Sequence, residues 1–492
     1  LNREVKISRA VLIEIEREAC TDSLYEFVRS FWGVIIREEP VFNWHIKFLC
    51  DELQELSKSI VSRAKKPYDI IVNIPPGTTK STITTIMFPA WLWTQDPSIR
   101  IITNSYSGDL AIEHAVKSRD IITSDKYRLL FPDVLIRRDK AGKSSYENTA
   151  TGARYATSTG GTITGKHAHV IINDDPQNPS QASSEALRET ANEHTKTLAS
   201  RKVNKENTPT ITIMQRLHEE DVTGYLLKKK KDGIRHICLP AEANGNVQPP
   251  ELRDRYIDGF LDPVRLSRSV LDEALTDLGS RAYAGQYDQA PVASGGNIVK
   301  RDWFNVISRA RFSERYRGQT ITFFADTAYT EKTENDPSGI IATCKIGNDL
   351  FITNGAKVRL KFPDLIRFIQ KYTARNGYSE ESTIRIEPKA NGISVIDQLR
   401  EGTNLNVTRT PSPNDSKETR LNAASPKIEA GRVFLVDSPD SDWVDEFLTE
   451  VCGFPNKPHD EYVDILCYAI DYHLKKKTEA TTELNANELG LF

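Results

Sequence analysis

Ile74-Pro75-Pro76-Gly77-Thr78-Thr79-Lys80-Ser81-Thr82 sets a lysine and a hydroxyl behind a glycine-containing loop, and the loop follows the apolar run Ile70, Ile71, Val72. A strand that ends in such a loop and then opens a helix turns free backbone N–H groups toward an anion, with the helix dipole behind them. In that frame Pro76, Gly77, Thr78, Thr79, Lys80, Ser81 and Thr82 form a phosphate cradle. Lys80 reaches the β- and γ-phosphates of ATP, and Ser81 offers its hydroxyl to Mg²⁺. Downstream, Val170-Ile171-Ile172-Asn173-Asp174-Asp175 carries two acids at the C-terminal end of an apolar run, the end of a strand where open α/β sheets bind ligands. Asp174 is placed to hold Mg²⁺ through water, and Asp175 to orient the attacking water. The β-branched run Thr210–Met214 ends in Gln215-Arg216, where a side chain can sense the γ-phosphate, and the polar loop Ser158–Lys166 feeds the acidic strand. A lone Lys-Ser is an ordinary strand-turn-helix, and Asp-Asp-Pro is good turn chemistry. The two motifs together point to a nucleotide.

A second set lies far along the chain. Asp326 follows Phe323-Phe324-Ala325, Glu387 follows Ile384-Arg385-Ile386, and Asp460 opens a helix with Asp464 one turn further on the same face. Cleavage of a phosphodiester by two metals needs carboxylates from different segments converging on one sheet edge. Acid on a first strand, acid on a later strand and acid on the closing helix is the order of a ribonuclease H-like nuclease. Singly, each acid is an ordinary solvated residue; the signal lies in the ordered set. Hard oxygen ligands select Mg²⁺ or Mn²⁺ over zinc. Lys389 and Asp336 stand nearby as supporting groups. Arg309, Arg311, Arg315 and Arg317 are either a track for a phosphate backbone or a solvated face.

The elements that must position these residues divide 492 residues into two or three domains. Hydrophobic content of 38% with 27% charged is that of a globular protein. A net charge of −3 excludes a globally basic nucleic-acid binder, so DNA contacts must use local basic grooves. Six scattered cysteines form no CxxC pair and no zinc-finger spacing with the nine histidines, which points to reduced thiols. No apolar run is long enough to span a bilayer and no signal peptide is visible.

Helical spacing of Leu12, Ile15 and Ala19, then Leu24, Phe27, Val28 and Phe31, makes residues 1–66 a helical segment. Residues 67–230 alternate strands (70–74, 100–103, 170–172, 210–214) with helices (80–93, 111–122) and read as a P-loop ATPase core with a mainly parallel sheet. Residues 231–310, rich in Pro, Gly, Arg and Asp, read as a small subdomain and linker. Residues 311–475 read as a second α/β domain, with strands at 320–326, 340–344, 350–353, 383–386 and 433–436 and helices at 362–376, 394–400 and 462–474. The polar tail 476–492 lacks periodicity and is expected to be disordered.

Taken in order, the motifs resemble the large terminase subunit of tailed bacteriophages. The resemblance runs over roughly residues 40–475. It is carried by Pro75–Ser81, Phe88-Pro89-Ala90-Trp91, Ser105-Tyr106-Ser107, Gly160-Gly161 with Thr164-Gly165, and Ile171–Pro176. It continues with Met214-Gln215-Arg216-Leu217-His218-Glu219-Glu220-Asp221, Gln286-Tyr287-Asp288-Gln289, Asp326, Glu387 with Gly392, and His459-Asp460. The resemblance implies an N-terminal ASCE-type P-loop ATPase and a C-terminal ribonuclease H-like nuclease. It implies ATP-driven translocation of double-stranded DNA into a procapsid and cutting of concatemers, with ATP, Mg²⁺ and, at the nuclease, Mn²⁺ as an alternative. It also implies a homo-oligomeric ring on the portal protein, a small terminase subunit as partner, and a place in the infected host's cytoplasm rather than in the mature virion or a membrane. The family's loop often reads Pro-Pro-Arg-x-Gly-Lys-Ser; here Gly77 stands for the arginine and Thr79 for the glycine. Lys166 is then the basic residue expected to act in trans, with Arg216 a second candidate, and Asp175 stands where a glutamate is usual. The competing readings are a cellular ATP-dependent helicase-nuclease, against which the lack of a second helicase motif set weighs, and a binding protein with an inactive nucleotide loop.

Overall fold

A computed structural model of the chain describes residues 8–229, 232–291, 297–316, 318–327, 337–389, 392–411, 415–438, 441–456 and 459–474. Asp336, Arg317 and the tail 476–492 lie outside them. The chain forms two compact units, Leu1–Ser294 and Gly295–Phe492.

The first unit is built on an eight-stranded sheet. Its strands are β1 (Asp69–Asn73), β2 (Arg100–Ser105), β3 (Ile136–Ala141), β4 (Ser145–Asn148), β5 (Ala153–Ser158), β6 (Val170–Asp174), β7 (Thr210–Met214) and β8 (Ile234–Cys238). They lie in the order β3-β4-β5-β2-β6-β7-β1-β8. From β5 to β8 every pairing is parallel, and β3 and β4 add an antiparallel edge. Every residue of β1 and β6 is buried, as a sheet covered on both faces requires. One strand, β7, stands between the loop-bearing β1 and the acid-bearing β6. The amphipathic helices Leu24–Ile35 and Trp44–Val61 supply Phe27, Phe31, Leu49 and Leu53 to one large core, which Trp91, Trp93 and Tyr127 complete.

The expected helix from Lys80 to Trp93 forms as two pieces. A π-helical turn, Thr82–Met87, runs into the α-helix Phe88–Gln95. Pro89 has no N–H to give to the carbonyl four residues back, and that carbonyl, of Thr85, accepts instead from Arg154 Nη2 at 2.7 Å. The wide turn next to the phosphate loop thus has a local cause.

The second unit is a seven-stranded mixed sheet of β9 (Asn305–Ser308), β10 (Thr322–Asp326), β11 (Ser338–Ile346), β12 (Asp349–Val358), β13 (Thr383–Ile386), β14 (Val407–Arg409) and β15 (Val433–Asp437). The order is β14-β13-β10-β11-β12-β15-β9. β10, β11 and β12 form an antiparallel meander, while β13 and β14 continue in parallel from β10. Alternation along β10 sends Phe323 and Ala325 into one core and Phe324 into the other. The closing helix Glu461–Leu474 packs on β10, β11 and β12. β9 and β14 were not foreseen: four and three residues long, they carry too little alternation to register as strands.

The stretch 231–310 divides between the units. Leu239, Val247, Leu252, Leu261, Leu266 and Leu271 sit in the first unit's core, whereas β9 pairs with β15 in the second. Its Pro- and Gly-rich composition marks irregular backbone that nevertheless buries leucines at wide intervals.

Candidate functional site

β1 delivers the phosphate loop. Gly77 has φ +75° and Thr79 has φ +62°. The left-handed region is free to glycine and costs other residues roughly 1–2 kcal/mol. Thr79 therefore adopts a backbone conformation that a glycine would take without that cost. Thr78 Oγ1 donates to Pro75 O at 2.8 Å, and buried His45 contacts Thr78 O at 3.3 Å. Burial holds the His45 imidazole down at about 4, so it stays neutral. Pro76 and Thr82, both half-buried, flank the loop.

Lys80 is nearly buried, with Nζ 2.9 Å from Gln215 Oε1 and 3.2 Å from Asp175 Oδ2. Ser81 Oγ donates to Asp174 Oδ1 at 2.9 Å, and Thr85 Oγ1 to Asp174 Oδ2 at 2.7 Å. β1, β6 and β7 thus bring Lys80, Ser81, Asp174, Asp175 and Gln215 together, as their order in the chain implied. Burial is the largest influence on both acids and pushes each carboxyl above its usual range, while Lys80 pulls each back. Asp175 has φ +41°, donates its N–H to Ile213 O at 2.8 Å and accepts from Tyr106 N at 2.9 Å. A non-glycine residue pinned in this region at a strand end is backbone strain of the kind found at active sites. Its Oδ1 is buried without a hydrogen-bond partner, so one acceptor is open for a water.

Three residues in this site were missed from the sequence. Thr85 holds Asp174 directly. His114 lies 3.5 Å from Asp174 Oδ2, its imidazole lowered to about 4 by burial and then by the Arg154 charge. Arg154 is 1% exposed. They come from β5 and from two helices at wide sequence separation, so no motif marks them.

The other two nucleotide candidates are placed differently. Arg216 is held by Asp221, Nε to Oδ2 at 3.0 Å, and by His218 O at 3.2 Å. Asp221 also accepts from the backbone N–H groups of Leu217, His218 and Gly224. Arg216 N in turn donates to Gln289 Oε1 at 2.9 Å. The stretch Arg216–Asp221 is therefore a tightly bonded turn starting one residue after the Lys80 contact, and the Arg216 guanidinium is engaged there rather than beside Lys80. Lys166 is exposed, its Nζ 4.6 Å from the Tyr155 ring centroid, and is not part of the Lys80 cluster.

In the second unit β10 and β13 are parallel neighbours with Ala325 opposite Ile386, so the residues that follow, Asp326 and Glu387, emerge side by side. The closing helix adds Asp464. One carboxylate oxygen from each of Asp326, Glu387 and Asp464 lies within 4.8 Å of the others. Asp460, expected beside Asp464, stands outside this group. It precedes the helix, where its carbonyl accepts from Asp464 N at 3.3 Å, and its carboxylate meets Lys417 Nζ at 2.5 Å. The reason is helical geometry: Asp464 lies one turn deeper on the face against β10 and is buried, while Asp460 is 35% exposed. Lys417 and Arg420 also contact Asp464, at 2.8 and 2.5 Å, and Lys389 contacts Glu387 at 2.8 Å. Gly392 has a role the sequence only hinted at. A Cβ there would fall 1.9 Å from Glu387 O, so only glycine lets the helix Gly392–Gly402 start against that strand end. Arg311 and Arg315 are exposed on the helix Arg309–Arg315, and Arg309 is half-buried.

The donor set fits a divalent cation. Three converging carboxylates repel one another, and a cation among them removes that penalty. Burial, followed by the charges of Asp464 and Glu387, pushes the Asp326 carboxyl up to about 6. Because this value is raised, the metal-free fold takes up a proton at Asp326 as pH falls through 6, and metal must displace it. The rise in Tm caused by Mn²⁺ is therefore expected to be full at pH 7.5 and much smaller at pH 5. Apparent affinity should drop by about tenfold per pH unit below 6. Scanning calorimetry of the full chain and of Asp326→Asn checks this. Equal shifts at both pH values, or an undiminished shift in the variant, would remove Asp326 from the ligand set.

A meander extended by parallel strands, with acids at the ends of β10 and β13 and on the closing helix, defines the second unit as ribonuclease H-like. Residues 357–473 match the family model of the terminase RNaseH-like domain. No curated protein sequence matches the chain. Among solved structures, the chain is similar to the large terminase from a thermophilic bacteriophage in complex with ADP. Identity is 12% and TM-score 0.49, over 86% of this chain and 99% of that one. It is also similar to the HK97 bacteriophage large terminase, at 11% identity and TM-score 0.37 over 88% and 92% of the two chains. The g2p (large terminase) nuclease domain from bacteriophage SPP1 with bound Mn aligns at 14% identity and TM-score 0.26, over 35% of this chain and 98% of that one. No described helix is long and apolar enough to cross a membrane.

Proposed function

We propose that the chain is a large terminase subunit, an ATP-driven motor that moves double-stranded DNA into a procapsid and cuts it with a divalent metal. One observation carries the reading: a terminase RNaseH-like match at residues 357–473 in a chain whose first unit gathers Lys80, Ser81, Asp174 and Asp175 at one sheet edge.

In the first unit ATP would lie along residues 76–82, and Ser81 and Asp174 would hold its Mg²⁺. Lys80 shifts from Asp175 to the β- and γ-phosphates, and this frees the Asp175 carboxylate to orient the attacking water. Gln215 feels the same shift, because Lys80 leaves its Oε1. The bonded turn Arg216–Asp221 and its tie to Gln289 carry that change away from the nucleotide. Lys166, exposed and outside the cluster, is the basic group for a neighbouring subunit's site.

In the second unit Asp326, Glu387 and Asp464 would hold Mg²⁺ or Mn²⁺, which would supply Lewis-acid polarisation of the phosphodiester and a lowered pKa for the attacking water. Lys417 and Arg420 sit beside Asp464 and are placed to meet the negative strand. The partners are duplex DNA, a small terminase subunit that selects it, and the portal of the procapsid, on which the chain forms a ring in the host cytoplasm. The test is a packaging assay with the full chain, small subunit, portal-bearing procapsids, DNA and ATP. DNA should become protected from added nuclease only when ATP and procapsids are both present. Duplex unwinding with no procapsid dependence would instead favour a cellular helicase-nuclease.

A further inference from the structure

Beside the acidic centre the second unit holds a cavity of 390 Å³, within the size range of small-ligand sites. Its walls carry Arg385 of β13, Thr410 just past β14, Arg420 and Lys427 of the helix Lys417–Glu429, and Tyr468 and Tyr472 of the closing helix. None of these was singled out from the sequence.

Arg420 is shared between cavity and acidic centre. Its Nη2 meets Asp464 Oδ1 at 2.5 Å, while its Nε and Nη1 are buried with no hydrogen-bond partner. Thr410 Oγ1 is likewise buried without a partner. Buried donors left unmet are costly, and a guanidinium is matched best by a planar or tetrahedral oxyanion. With Arg420 shared with Asp464, the other charges on the wall are Arg385 and Lys427 facing Asp415 and Asp471, so no net negative charge opposes an anion. The cavity also offers aromatic surface: the Arg385 guanidinium lies 4.5 Å from the Tyr472 ring centroid and that of Arg420 5.3 Å from the Tyr468 centroid. Tyr472 is 50% exposed, and an arginine–tyrosine pair of this kind is a platform on which a base stacks whatever its identity.

We propose that this cavity is a nucleotide subsite of the nuclease, taking the phosphate of the DNA nucleotide next to the bond held by Asp326, Glu387 and Asp464. Arg420 and Lys427 engage that phosphate, Thr410 donates to it, and the Tyr472–Arg385 face receives the base. The placement follows from Arg420, which reaches from a metal-binding carboxylate to the cavity within one side chain, so that a strand crossing the acids has its next phosphate at the cavity mouth. The proposal rests on the nuclease reading and gives it a device for gripping one strand independently of base sequence.

Two measurements on the full chain test it. In Mn²⁺-dependent cleavage of plasmid DNA, the double variant Arg385→Ala, Lys427→Ala is expected to raise KM about tenfold and to change kcat far less. Its Mn²⁺-induced rise in Tm should match that of the parent, which shows Asp464 still in place. In fluorescence anisotropy with Ca²⁺ replacing Mn²⁺, a 5′-phosphorylated oligonucleotide should bind the double variant about tenfold more weakly. Thymidine 5′-monophosphate should compete for the parent, and competition by inorganic phosphate alone would support the phosphate contact without the base platform. Unchanged KM with unchanged oligonucleotide affinity overturns the proposal, as does a cavity that binds the mononucleotide while KM for duplex stays fixed. The nuclease reading fails separately, if cutting survives Asp326→Asn; weaker oligonucleotide binding by the double variant would then still support the cavity as a nucleotide site.

Discussion

Lys80→Ala is expected to cut ATP turnover by about a thousandfold, the scale seen when one preorganised cationic donor is taken from a phosphoryl-transfer site. The geometry explains why the loss should be near complete. Lys80 Nζ is the cation that meets both Asp175 Oδ2 and Gln215 Oε1. Its removal takes away a phosphate ligand and also leaves two buried carboxyls with less opposing charge. Burial already pushes Asp174 and Asp175 upward and Lys80 pulls them down, so without it both move further toward the neutral acid, which neither holds Mg²⁺ nor orients water. Phosphate release by the purified chain with Mg²⁺ checks this, with nuclease activity as the control for folding of the second unit. Turnover equal to that of the parent would falsify the assignment of the loop. Thr79→Gly, by contrast, should preserve turnover, because Thr79 already holds the left-handed backbone a glycine would take.

The second large effect is expected at the acidic centre. Asp326→Asn and Asp464→Asn should each abolish metal-dependent plasmid cleavage, a loss of at least about a hundredfold, while Asp460→Asn should retain most of it. The discrimination is the point of the experiment. Asp326, Glu387 and Asp464 place oxygens within 4.8 Å of one another, whereas Asp460 lies outside that group and is partly exposed. The asparagine variants preserve shape, so a cleavage loss cannot be ascribed to a cavity. If Asp460→Asn is as inactive as Asp464→Asn, the third ligand has been placed one turn too deep in the helix.

Much of the architecture was legible because its signals are local. Residues 70–72, 101–102 and 170–172 are short apolar runs between polar breaks, and they became the buried parallel strands β1, β2 and β6. The acids that matter stand at the ends of such runs, so a strand prediction is also a site prediction: Asp174 closes β6 and Asp326 closes β10. Less legible were elements whose stability comes from pairing. β9 and β14 are too short to show a pattern and exist because β15 and β13 offer them a parallel edge. The leucines between 239 and 271 join the first core from an irregular chain, where neither period 2 nor period 3.6 could reveal them.

The sequence alone determined the chemistry available. Its composition and motif order supply a lysine and a hydroxyl after a turn-forming loop, paired acids after an apolar run, and three further acids in ribonuclease H-like order. Only tertiary structure decided which of those groups meet. It chose Asp464 over Asp460, because one helical turn separates a buried carboxylate from one at the helix mouth. It engaged Arg216 with Asp221 and set Gln215 on Lys80, because adjacent residues leaving a strand diverge. It set Thr85 and His114 against Asp174, and it held Arg154 behind them on a carbonyl that Pro89 leaves without its helical partner. Charge and hydrogen-bonding capacity are properties of residues and can be read in one dimension. Burial, which raises a carboxyl's proton affinity or leaves a guanidinium unmet, is a property of neighbours and exists only once the chain has folded.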